Sequence, residues 1–588
     1  MRLFRRQTFL VLLLLLLWAA TAAALPDAFT REGDPTLYAK LHKLAEQNLR
    51  RLDSQQRKAY RRLLREQDDI LMSYLLAYES DANLAQAEPQ AILSNYREIV
   101  DYLARYGTSQ ATEFFLSYVA DQTVSDERIE AYRAALLDDG LREILEHSTD
   151  ELELYRAVSQ WCVGRLKFQP TSGRDQSPLD ITQKSILGRC EEMQILFVAA
   201  ARTVGLPARP ASTPWWPHTD NNHAWAEVWL DGAWHYTGDM DAAYYPDQTW
   251  FSGLIDKTVL ILADGSLPAE HDEVLVSGRY DCVINSIRNY AGERTRRISV
   301  STVDTEGQPL GGASLGILVY NWNALRPLVY LETDAEGKFS FSAGRGAFYL
   351  SAYKDGKQAL QLIPSGEVPE LDFSLILAEG PLPDQNEMLL YPSNPFQPKQ
   401  APEVWNEGVR LARQHWNDLD RSYQDCGAEL GDSLLCAFAS ASRGNYPNLN
   451  GFLERVPDLN PEFLEFVLST EPQYLDPKFL WQAEDRQLEA LYRHYQLMRE
   501  RFSPQDLASV IAPTVFYEEL SQPYEISGGA WAMYPRSFVQ KGDTRLIRLN
   551  RAMNWLKRKY RIAPDKARQG LLPLHIAAGR KHLNSVQY

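Results

Sequence analysis

Residues 188–209 read GRCEEMQILFVAAARTVGLPAR, and the rest of the chain is arranged around them. The apolar run from Met193 to Ala201 stops at Gly205 and Pro207, which marks a buried helix with Cys190 at or near its N-terminus. A thiol there meets backbone N–H groups and the positive end of the helix dipole, which favour thiolate. Glu191 and Glu192 push the other way. Residues 221–241, NNHAWAEVWLDGAWHYTGDMD, follow as a strand, an Asp231-Gly232 turn and a second strand. In the first strand Ala224, Ala226, Val228 and Leu230 alternate with His223, Trp225, Glu227 and Trp229, so the first set suits a core and the second a cleft. With a two-residue turn Leu230 pairs with Ala233, and counting outwards puts Trp225 opposite Gly238, Ala224 opposite Asp239 and His223 opposite Met240. A cysteine at a helix mouth, a histidine at a strand start and an aspartate after a hairpin are the nucleophile, base and orienter of thiol catalysis.

These residues resemble the transglutaminase-like superfamily, whose catalytic order is Cys, His, Asp on a papain-like α+β scaffold. The likeness rests on Gly188-Arg189-Cys190, on Val204-Gly205-Leu206-Pro207-Ala208-Arg209, on TPWWP from Thr213 to Pro217, and on His223-Ala224-Trp225 with Glu227-Val228-Trp229. It reaches upstream through Trp161-Cys162 and residues 177–190, SPLDITQKSILGRC, and covers about residues 150–255. The resemblance implies Cys190 as nucleophile, His223 as base and an acidic orienter, acting on amide bonds by acyl transfer. Hydrolysis is favoured over lysine cross-linking.

Two positions depart from the family. Its residue after the cysteine is usually small where this chain has Glu191, and its aspartate usually falls where Gly238 stands. A bulge at Gly238 would turn Asp239 onto the His223 face, so Asp239 is the expected orienter. Asp241 is the alternative if the strand ends early. The Cys190 backbone N–H is expected in an oxyanion hole, with Gln169, Gln183 or Trp161 as a second donor. Trp215 and Trp216, between the helix end and the catalytic strand, are expected beside the cleft as substrate walls.

Two other readings of the stretch compete. In one the fold persists without chemistry, as an inactive extracellular protein whose aromatics bind peptide or glycan. In the other His218, Asp220, His223, His235 and Asp239 hold zinc. The alternation opposes a metal, since His235 pairs with Val228 on the face away from His223. No P-loop, dinucleotide glycine fingerprint or HExxH motif occurs, and no cofactor is expected. Gly312-Ala313-Ser314-Leu315-Gly316 matches a nucleophile elbow only formally, because a β-rich run follows it where an elbow needs a helix.

The flanks read as a multidomain α+β chain. Residues 1–24 carry Arg2, Arg5 and Arg6, a Leu-rich apolar core and a small-residue Ala22-Ala23-Ala24 site, as a secretory signal peptide does. A secreted or periplasmic protein with no stable membrane span after cleavage is expected. Cleavage removes three arginines and no acids and takes the formal net charge from −16 to −19, which argues against nucleic acid and leaves protein or peptide as substrate. Residues 25–150 have helical spacing with charged faces, and 151–296 form the transglutaminase-like domain, in which 251–295 supply further strands. Residues 297–378 alternate β-rich runs with turns and resemble the carboxypeptidase regulatory-like and immunoglobulin-like modules, which implies an accessory β-sandwich. Residues 379–403 are a Pro-rich linker and 404–588 a helical C-terminal domain. Among the five cysteines, Cys162 and Cys282 read as buried apolar residues, and Cys426 and Cys436 are close enough in sequence to pair.

Overall fold

The structure is a computed structural model. It describes residues 25–380 apart from 126, 169–174, 186, 220, 238–245, 248 and 322–323, residues 432–500 apart from 443–444, 471–478, 481–482 and 484, and a few isolated positions beyond them. The expected signal segment 1–24, nearly all of the expected linker 379–403, Cys426 and most of residues 501–588 lie outside the described residues.

Charged-face repeats in the leading region form α1 (Pro35–Leu49) and α2 (Ser54–Gln67), followed by α3 (Ile70–Ala77) and α4 (Pro89–Tyr106). Aspartates start three of them: Asp34, Asp53 and Asp69 accept the N–H groups of Leu37, of Gln55 and Gln56, and of Met72. Every residue of α3 is buried, so it is the axis around which the other three pack. This region is tied to the later chain by polar contacts, with Tyr74 to Ser266 at 2.6 Å, Tyr118 to Asp272 at 3.0 Å and Tyr280 to Asn48 at 3.0 Å.

Next come α5 (Glu151–Val163) and α6 (Cys190–Thr203). Helix α6 is buried from Glu192 to Thr203 and lies against a six-stranded antiparallel sheet. Its strands are β1 (Ala208–Thr213), β2 (His223–Leu230), β3 (Ala233–Tyr236), β4 (Leu262–Gly265), β5 (Glu273–Ser277) and β6 (Cys282–Asn285), in the order β3-β2-β1-β4-β6-β5. The β2–β3 register runs Leu230 to Ala233, Trp229 to Trp234, Val228 to His235 and Glu227 to Tyr236, as the two-residue turn requires. Asp231 and Gly232 both have positive φ, 50° and 81°, the conformation of the tight turns that match strand twist.

Both faces of the β1–β2 ladder are largely buried, which corrects the expected cleft. Ala208, Ala226, Val228 and Leu230 pack with α6, while Ala211, Trp225 and Tyr236 pack into a second core with Trp216, Phe251, Ile284 and Tyr290. Glu227 tolerates burial because Arg209, its cross-strand partner, meets it at 2.6 Å.

Beyond Arg296 the chain forms two sheets. β7 (Arg296–Val303), β8 (Ser314–Asn321), β9 (Ala324–Glu332), β10 (Lys338–Ala343), β11 (Phe348–Lys354), β12 (Lys357–Ile363) and β13 (Glu370–Ile376) order as β9-β8-β11-β12 and β10-β7-β13. The first sheet is antiparallel, and in the second β13 runs parallel to β7. Their inward residues, among them Val300, Ile317, Phe341 and Leu350, share one core that also takes in Val259, Leu260 and Leu275 of the preceding sheet region. Ser314 opens β8 directly after a Gly312 turn, so no strand-to-helix elbow exists there. In the tail, α7 (Ser433–Ala441), α8 (Tyr446–Arg455), α9 (Pro461–Ser469) and α10 (Asp485–Arg499) share a separate core.

Candidate active site

Cys190 is the first residue of α6, and its N-terminus is built by its neighbours. Glu192, fully buried, folds back so that its carboxylate accepts the Arg189 N–H at 2.8 Å and the Gln176 N–H at 3.3 Å. Gly188 makes room for this: a Cβ there would stand 2.5 Å from the Glu192 Cβ. The Cys190 side chain stays half-buried, and its thiol donates to Glu191 Oε2 at 3.2 Å. The same oxygen receives Arg189 Nε at 2.8 Å, and Arg189 Nη2 reaches Asp175 Oδ1 at 2.7 Å. Burial works against the Glu191 charge, but Arg189 and the thiol hold its carboxyl below the usual range.

Two ties orient the helix on the sheet. Gln194 Nε2 donates to the carbonyls of Ala211, at 2.8 Å, and Trp225, while near the other end Arg202 Nε donates to Ala208 O at 3.0 Å. Ala211 pairs with Trp225 and Ala208 with Val228, so α6 runs parallel to β2. Cys190 lies four residues, about one turn, before Gln194, about 6 Å along the axis. His223 lies two residues before Trp225, about 7 Å along the strand. Cysteine and histidine therefore stand beyond the same tie, at one end of the helix–sheet pair. Gln194 is a site residue that sequence reading missed; its signal was an amide inside an apolar run, four residues after Cys190.

His223 opens β2, buried, opposite Thr213. Its ring has Trp250 at 5.0 Å, Phe251 at 5.4 Å and Trp225 at 5.5 Å between centroids. It lies on the Trp225 face of the strand, among these aromatic rings. The register continues as expected to Thr237, whose N–H donates to Ala226 O at 2.9 Å. Gly238, Asp239 and Asp241 lie outside the described residues, and so does the expected bulge.

The expected substrate walls are placed otherwise. Trp216 is 1% exposed and packs among Trp225, Trp250 and Phe251, so it is a core side chain. Trp215 is half-buried against the two-sheet region, with the Arg326 guanidinium 5.3 Å from its ring. Asn321 of β8 explains the turn of this loop, since its amide donates to the carbonyls of Trp216 and Thr219, each at 2.8 Å. Among the described residues, the aromatic ring that is both exposed, at 40%, and beside His223 belongs to Trp250. No periodicity in the sequence marked it.

Of the oxyanion candidates, Trp161 is committed elsewhere, with its indole N–H on Asp139 O at 2.8 Å. Gln183 is exposed and lines a cavity with Asp138, Asp139 and Thr182, and Gln169 lies outside the described residues. Two other thiols, Cys162 and Cys282, are buried where Cys190 is half-buried. Cys162 is buried and pushed up by that burial, and Cys282 is pushed up to about 12 by burial and by Asp272, Asp264 and Asp281. His235 lies opposite Val228 and pairs with Asp247 at 2.7 Å, and burial lowers His218 to about 4. Among the described residues no group of three His, Cys, Asp or Glu side chains is placed to hold a metal ion, and no helix is long and apolar enough to cross a membrane.

The model of the transglutaminase-like superfamily matches residues 140–238, which span α5, α6 and the β1–β3 strands. A crystal structure from Cytophaga hutchinsonii, of a protein described provisionally as a cysteine protease, is similar at 12% identity, over 40% of this chain and 54% of that one, with a TM-score of 0.16. The chain thus spans about half the length of that structure. No curated protein matches the chain.

Proposed function

We propose, on the premise that residues 140–238 carry a transglutaminase-like superfamily domain, that the chain is a thiol enzyme acting on amide bonds of protein or peptide substrates. The observation that carries this reading is a half-buried cysteine at the first position of α6, beyond the Gln194–Trp225 tie at the end where His223 begins β2. Cys190 Sγ attacks the carbonyl carbon while His223 takes the thiol proton. The oxyanion forms near the start of α6, and an α-helix gives its first N–H groups no acceptor of its own. Collapse breaks the C–N bond, and the imidazolium returns the proton to the leaving amine. Water, activated by the same imidazole, then releases the acid and restores the thiol. Asp239 orients the histidine in this scheme, with Asp241 as the alternative.

Trp250 takes the place of Trp215 and Trp216 as the aromatic wall, supported by its exposure beside the His223 ring. Residues 1–24 act as a secretory signal, supported by their arginines, Leu-rich core and alanine site. Residues 297–378 are an accessory β-sandwich, supported by two sheets that share one core and by the Asn321 contacts to the loop before His223.

The test uses full-length protein lacking residues 1–24, with a glutamine-containing reporter peptide, and follows peptide cleavage and ammonia release with and without an alkylamine. Wild type is expected to form acid product, and Cys190→Ala and His223→Gln each to lose at least about a hundredfold. Incorporation of the amine in preference to water would turn the reading to cross-linking. Full activity in Cys190→Ala would remove it.

A further inference from the structure

We infer that Glu191 is a positioning residue that holds Cys190 in its S–H form in the resting site, so the nucleophile is released only when that proton turns away from Glu191. The inference rests on the reading of Cys190 as nucleophile.

The geometry is a fixed chain. Ser125 Oγ donates to Asp175 at 2.8 Å, Arg189 bridges Asp175 and Glu191, and Glu191 receives the Cys190 thiol at 3.2 Å. Arg189 is the nearest cation to the sulfur along this chain, and two carboxylates already face it. Its charge is therefore largely compensated before it can stabilise a thiolate. Other charged groups around this end are Glu192, bound to the Arg189 and Gln176 N–H groups, Asp180 paired with Arg128 at 2.8 Å, Glu127 near Asp175, and His223 on β2. With its carboxyl held low, Glu191 is ionised wherever thiol chemistry runs. A standing negative charge beside sulfur favours S–H as donor and disfavours S⁻, in opposition to the helix dipole. When the thiol ionises its proton goes to the base, and Glu191 keeps its charge throughout.

The experiment is the pH profile of iodoacetamide alkylation at Cys190, located by mass, in full-length wild type, Glu191→Gln and Glu191→Ala. Thermal melts verify folding, and the alanine variant serves should the glutamine variant not fold. Removing the charge is expected to lower the alkylation midpoint by about one pH unit. Because nucleophilicity falls with pKa, the rate below both midpoints should rise about threefold and the plateau above them should fall about threefold, so the profiles cross. A midpoint that stays or rises overturns the proposal, and so does a uniform gain at every pH, which would report access alone. If Cys190 is inert at every pH in all three proteins, the nucleophile reading falls and takes this proposal with it. If Cys190 reacts but its midpoint does not move, only the role of Glu191 falls.

Discussion

The two faces of the β1–β2 ladder are equally buried and differently built. Towards α6 the ladder presents Ala208, Ala226, Val228 and Leu230, which need no partner beyond shape. Away from it stand Arg209 and Glu227, and their charges are met by Asp272 at 3.1 Å and Ser286 at 2.5 Å, supplied by chain 45 or more residues further on. The Arg209 guanidinium also lies 4.0 Å from the Trp234 ring centroid. Strand alternation marks one face as polar, but polar here means internally paired, not exposed. A face held by packing loses stability in proportion to the atoms removed, whereas a face held by paired charges fails when one partner goes.

Removing one charge should have the largest effect. Glu227→Ala leaves buried Arg209 with Asp272 alone to offset its charge and should cost about 3–5 kcal/mol in urea denaturation, with part of the loss recovered when Arg209→Met is added. Recovery is what distinguishes an under-compensated charge from lost packing; a double variant no more stable than the single one would break the contrast.

A buried acid that no cation meets among the described residues sharpens the same point. Glu79 is held by Ser80 N–H at 3.0 Å and the Asn83 amide at 2.9 Å, and burial pushes it up to about 8. Its folded value lies above its ordinary one, so its contribution is complete below about pH 4.5 and is lost as pH rises through about 8. Stability should therefore fall by up to a few kcal/mol between pH 5 and pH 8.5, and Glu79→Gln should flatten that slope. An unchanged slope in the variant would assign the pH dependence elsewhere.

On the helix face Val228→Ala should cost about 2–3 kcal/mol, less than Glu227→Ala one residue away. The reverse order would invert the comparison. The smallest effect should come from Tyr290→Phe, which takes from the Trp225 indole N–H its acceptor at 2.7 Å and should cost about 1–2 kcal/mol. A loss as large as that of Glu227→Ala would mean that Tyr290 belongs to the ionic network as fully as Arg209 does.

What the sequence by itself determined were features whose causes lie within a few residues. The apolar spacing and the Gly205-Pro207 stop mark α6 and place Cys190 at its mouth, and Asp231-Gly232 sets a register that holds out to Thr237. Helix ends and tight turns are decided by local backbone preference, and such preferences are written in adjacent side chains. Only the tertiary structure decided what covers each face. Trp216 is core because Trp225, Trp250 and Phe251 close around it, and Trp215 turns aside because Asn321, about a hundred residues later, holds the loop. The tie of Gln194 to Trp225 and the pairing of Arg209 with Asp272 likewise join segments that local spacing cannot relate. Burial depends on which distant surfaces meet, and period-two alternation is the same whether a strand's second face meets water or another layer of protein.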